Sequence, residues 1–75
     1  MIIIKKYVLY DNQLSIKNII DVANTEDEIR DSYKMAKIFR RMLNREDLPQ
    51  MALVEISKEE LEIIYKNLKE YFKEK

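Results

Sequence analysis

The sequence predicts an α+β fold. A small sheet of two or three strands, at about 2–10, 51–56 and a third segment at 14–16, is packed by a short helix over 16–23, a long central helix over 26–44 and a C-terminal helix over 58–73. Three observations carry this expectation. Apart from Lys5 and Lys6, residues 2–10 are Ile, Val, Leu and Tyr, the composition of a strand. Two capping boxes, Thr25-x-x-Glu28 and Ser57-x-x-Glu60, each precede apolar residues at helical spacing. The 75-residue chain has one Pro and no Gly, no repeat and no low-complexity tract, so residues 1–75 read as one domain.

Each element has its own justification. In the first strand, Ile2, Ile4, Lys6, Val8 and Tyr10 share one face and Ile3, Lys5, Tyr7 and Leu9 the other. Both faces are mostly apolar, so cover is expected on both sides. Asp11-Asn12 reads as a turn, and residues 14–16 read equally as a return strand or as the run-in to a helix. Ile16, Ile19, Ile20 and Ala23 keep helical spacing. The long helix places Ile29, Tyr33, Ala36, Phe39 and Leu43 at three- and four-residue steps. Its first turn is acidic and its last basic, as the helix dipole favours. Leu48-Pro49 breaks the chain before the strand at 51–56, which is expected to pair with residues 2–10. Leu61, Ile64, Tyr65, Leu68 and Phe72 then mark the buried face of the last helix. With no glycine, left-handed positions fall to Asn or Asp, and Asn12, Asn24 and Asn44 stand at three boundaries.

Composition removes most chemistries. Without Cys or His there is no disulfide, no structural zinc site, no thiolate nucleophile and no Ser-His-Asp triad. Without Gly there is no phosphate-cradling loop. Glu55, Glu59 and Glu62 are spaced to share an edge, but the helix dipole already accounts for acids at that position. An enzyme is not expected, nor a metal, cofactor or small-molecule substrate. No run approaches the roughly 18 apolar residues of a membrane span and no secretory leader pattern is present, so a cytoplasmic protein is expected. A chain this short buries only about 60% of its unfolded surface. With disulfides and zinc excluded, a homo-oligomer is the expected remedy.

Charge is segregated although 14 Lys and Arg balance 14 Asp and Glu. Residues 26–31 carry a net −3, residues 32–45 a net +5 and residues 46–65 a net −5. On the long helix, Arg30, Lys34, Lys37, Arg41 and Arg45 fall within about 80° of one another and form a basic ridge. Neighbouring like charges cost roughly 0.2–0.5 kcal/mol per pair, so the ridge calls for an anion: nucleic-acid phosphate, an acidic protein patch, or the chain's own 46–65 segment.

The same helix carries a second apolar stripe, Met35, Ile38 and Met42, and its combined apolar arc exceeds roughly 200°. Either the helix is gripped between the sheet and the last helix, or this stripe faces a partner. A helix-turn-helix over 16–44 fits the element pattern but would present Glu26, Asp27, Glu28 and Asp31 to DNA, which repels them. A ribbon-helix-helix has only Lys5 and Lys6 to reach bases. The acidic first turn and the lack of Trp weigh against a membrane-surface helix. The expected role is a small non-enzymatic protein-interaction module, a regulator or inhibitor of the kind mobile elements and phages encode, binding a protein partner or itself through the long helix. The alternative is a nucleic-acid-binding regulator that uses the ridge.

Overall fold

A computed structural model describes residues 2–73, with side chains through residue 70. The elements run β1 (Ile3–Tyr10), a 3₁₀ turn (Ile16–Asn18), β2 (Ile19–Ala23), α1 (Glu26–Met42), β3 (Gln50–Ser57) and α2 (Lys58–Lys73). The strands form one antiparallel sheet in the order β2-β1-β3, with β1 in the centre. This is the α+β arrangement expected.

The pairing of β1 follows a strict alternation. Lys58 N–H donates to the Ile2 carbonyl at 3.1 Å, continuing the register that sets Ile4 opposite Ile56 and Val8 opposite Ala52. Since hydrogen-bonded pairs alternate with non-bonded ones, even-numbered residues of β1 turn their backbone groups to β3 and odd-numbered ones to β2.

Side chains alternate too, and the helices lie on opposite faces of the sheet. Val8 is fully buried in a cluster with Ile19, Ile56, Leu61 and Ile64, against which Ile4, Val22, Val54 and Leu68 pack. That is the α2 side. Leu9, one residue on and therefore pointing the other way, lies with Ile20, Ala36 and Phe39 on the α1 side. The expected cover on both sides of β1 is present.

The stretch 16–23 departs from expectation. Only Ile16–Asn18 is helical, as a single 3₁₀ turn, and Ile19–Ala23 is the third strand; residues 14–16 are not a strand. The helical spacing of Ile16, Ile19, Ile20 and Ala23 was coincidental. Ile19, Ile20 and Val22 are β-branched, and the strand they form pairs with β1 through Ile19, Asp21, Val22 and Ala23 while burying Ile19. A bulge at Ile20, between the Leu9–Asp21 and Tyr10–Ile19 pairs, turns its side chain to the α1 side.

Both helix starts are capped by the expected pairs, at Ser57 as a full capping box and at Thr25 with the hydroxyl in place of the backbone N–H as the return donor. Glu28 N–H donates to Thr25 Oγ1 at 3.2 Å, and the Thr25 hydroxyl donates to Glu28 Oε1 at 2.9 Å. Glu60 N–H donates to Ser57 Oγ at 3.2 Å while Ser57 N–H donates back to Glu60 Oε1 at 3.3 Å. Helix α1 ends at Met42, two residues before the expected 44. Asn44 takes a left-handed φ of 58°, its N–H bonds the Arg41 carbonyl at 3.0 Å, and Arg45 N–H bonds the Arg40 carbonyl at 2.8 Å. This is a Schellman cap with Asn in the glycine position. Asn12 is also left-handed, at 61°. Asn24 is not; its side-chain oxygen accepts from the Lys6 ammonium. Phe72, expected on the buried face of α2, lies outside the described side chains.

The α2-side cluster holds most of the buried apolar residues, so truncations there are the costly ones. Ile64→Ala is expected to lower the unfolding free energy by about 2–4 kcal/mol in urea denaturation.

Candidate functional site

Helix α1 turns Ile29, Tyr33, Ala36 and Arg40 towards the sheet; Ile29 and Arg40 are buried and the other two half-buried. The expected fourth and fifth members of that face, Phe39 and Leu43, are not core. Arg40 takes their place. Its Nη2 lies 2.7 Å from Asp11 Oδ1 and 2.9 Å from Oδ2, and its Nη1 lies 3.1 Å from Asp47 Oδ2. A guanidinium that enters a low-dielectric site must be paired. These two carboxylates, from the turn after β1 and the loop before β3, meet that demand.

Phe39 and Leu43 instead join the second stripe on the outside. Met35, Ile38, Phe39, Met42 and Leu43 are 54, 53, 57, 72 and 68% exposed. The reading in which α1 is gripped between sheet and C-terminal helix is ruled out by the placement of α2 on the far side of the sheet. Between this apolar strip and β2 runs an open groove of about 540 Å³ with Leu9, Ile20, Ala36 and Phe39 in its lining. Asp21 and Ser32 stand in it, bonded to each other, and Asp31 and Arg45 also line it.

The basic ridge is shorter than its spacing implied. Arg30 pairs with Glu26 at 2.7 Å, one turn back. Arg45 lies beyond the helix end, where it meets Asp47 at 2.6 Å. Lys34, Lys37 and Arg41 remain on α1, and among the described residues they make no ion pair. From the acidic 46–65 segment, Asp47 pairs with Arg40 and Arg45. The hydrogen bonds from Arg45 hold the Asp47 carboxyl below its ordinary value of 3.8, with Arg40 adding to the effect.

The remaining acidic candidates do not converge. Glu55 is on β3 opposite Lys5, with its side chain on the α1 side, whereas Glu59 and Glu62 belong to α2. Among the described residues no group of three acidic side chains is placed to hold a metal. No helix among the described residues is long and apolar enough to cross a membrane. With a strand at 19–23, a helix-turn-helix over 16–44 is also excluded.

Comparison with protein-family models, with curated proteins and with solved structures yields no match to this chain. Sequence reasoning passed over Arg40, Asp11, Asp21 and Asp47. A signal for the first was present: Arg40 shares the helical phase of Ile29, Tyr33 and Ala36.

The Arg40 tie makes an ordered prediction. Asp11→Ala is expected to cost about 2 kcal/mol, less than the roughly 3–5 of a fully buried pair because Asp11 is partly exposed. On acidification, the part due to Asp47 is present above its ordinary value and is lost as pH falls through the lower folded one. Urea titrations of Asp47→Asn are expected to show a flatter loss of stability in that acid window.

Proposed function

We propose that this chain is a small non-enzymatic interaction module, a regulator or inhibitor, that binds a protein through the outer face of α1. One observation carries the reading: five large apolar side chains, Met35, Ile38, Phe39, Met42 and Leu43, stand together on one helix, each more than half exposed. Monomeric proteins seldom leave such a patch unless something covers it. Burying what each leaves exposed returns roughly 1 kcal/mol per side chain, which outweighs the cost of any single like-charge pair on the ridge beside it. Methionines suit the role because their unbranched, polarizable side chains adapt to a partner's contours.

The second reading, a nucleic-acid-binding regulator, rests on Lys34, Lys37 and Arg41, which lack ion pairs among the described residues. The ridge now offers three cations rather than five, which supports a correspondingly weak phosphate contact.

The test is paired. Met35→Glu with Met42→Glu is expected to keep the unfolding free energy within about 1 kcal/mol, since both sites are exposed, and to lose the protein that the unaltered chain retains from an extract of its native cells. Calorimetry with that protein purified checks that binding is direct. Unfolding of the double variant would make the stripe core and end the proposal. Fluorescence anisotropy against duplex DNA, single-stranded DNA and RNA at low salt is expected to show no binding. Binding abolished by Lys37→Glu with Arg41→Glu would replace this reading with the second.

A further inference from the structure

Both outer strands of the sheet have a free edge, and the two edges are built differently. β2 has five residues and is bulged at Ile20. By the alternation set at Ile2 and Lys58, the N–H of Val22 points away from β1. It is already used, donating to Asp21 Oδ1 at 2.8 Å. A short, bulged strand whose outward donor is consumed by its own side chain is a blunted edge.

The edge of β3 has none of these devices. It has eight residues and runs in unbroken register with β1 from Ser57 to Gln50. Its even-numbered residues bond β1, so the N–H and C=O groups of Met51, Leu53 and Glu55 point outward. Ser57 confirms the parity, because its N–H is taken by Glu60 Oε1 and not by β1. Among the described residues no backbone group pairs with the outward positions 51, 53 and 55. Pro49 precedes the strand and Glu55 is its single charge. Beside the edge, on the α1 side, Met51 and Leu53 are exposed.

We propose that β3 pairs with β3 of a second copy of this chain, antiparallel across a two-fold axis centred on Leu53. The result is a continuous sheet ordered β2-β1-β3-β3-β1-β2. Such an axis brings an edge against itself, so length and parity match of necessity. Leu53 faces its own symmetry mate, and Met51 faces Glu55 of the second copy. Each of these residues then uses both its free N–H and its free C=O. The one charge never meets its equivalent: the two Glu55 are offset by four residues along the strands, about 13 Å, beyond the screening length in physiological salt. The two Leu53 side chains extend the thin apolar layer on the α1 side. The outer face of α1 takes no part, so the dimer displays two copies of it on the same face of the joined sheet. This inference is independent of what α1 binds.

Sedimentation equilibrium and residue-resolved amide exchange on the full chain test it. The expected mass is twice the 9.1 kDa of one chain. The amides of Met51, Leu53 and Glu55 are expected to exchange at least about tenfold more slowly in the dimer than after dilution. Leu53→Lys, which keeps every backbone bond of the monomer and sets two ammonium groups face to face, is expected to give a folded monomer with those amides fast. Should that variant fail to fold, the amide pattern of the unaltered chain decides. Met35→Glu with Met42→Glu is expected to remain dimeric. A chain that is monomeric at all concentrations overturns the proposal, as does a dimer with fast amides at 51, 53 and 55. So does a dimer lost in the α1 variant and kept in Leu53→Lys. Only the last of these results would bear on the proposed function, because it would cover the α1 strip with a second copy.

Discussion

Strand β1 is paired with β3 along its whole length and with β2 from Tyr7 to Tyr10, with a helix against each face, and the rest of the structure is arranged to satisfy it. Its even residues bond β3 and send side chains towards α2; its odd residues send side chains towards α1, and Tyr7 and Leu9 among them bond β2. A strand with a helix on each face needs two apolar layers, and in this 75-residue chain the two are unequal. The α2 layer is the complete one, with Val8, Ile19, Ile56, Leu61 and Ile64 buried together. On the α1 side, Leu9 and Ile29 are the buried aliphatic side chains of the sheet and helix among the described residues.

Arg40 explains why the second layer stays thin and still holds its helix. A methionine or leucine in its place would fill the space with apolar atoms. The guanidinium instead draws in Asp11 and Asp47, tying α1 to the turn after β1 and to the loop before β3. The gain is in placement more than in net energy, because desolvating the ions offsets much of their attraction. With the sheet-facing phase assigned to Arg40, Phe39 and Leu43 are turned outward beside Met35, Ile38 and Met42. The exposed strip is therefore a consequence of how α1 is anchored, and its size is what calls for a partner.

The sequence made the architecture legible where a local rule and the tertiary demand agreed. The capping boxes at Thr25 and Ser57 located both helix starts, and Asn12 and Asn44 took the left-handed positions that a glycine-free chain assigns to Asn. Residues 16–23 were misread because Ile16, Ile19, Ile20 and Ala23 suit a helix and a strand equally, and only the free edge of β1 decides between them. The ridge was overcounted because a helical wheel cannot show that a Schellman cap removes Arg45, or that Glu26 has already claimed Arg30. At the candidate site the stripe of Met35, Ile38 and Met42 was visible, but its exposure depended on α2 choosing the opposite face of the sheet. No periodicity in the sequence encodes that choice.

The central claim is that this stripe is surface and not core. Methyl labelling of the methionines, isoleucines and valines with a soluble paramagnetic agent reads it directly. In a dilute sample the Met35 and Met42 methyl signals are expected to broaden strongly while those of Val8 and Ile64 stay sharp. Met35 and Met42 signals as shielded as Ile64 in a monomeric sample would contradict it.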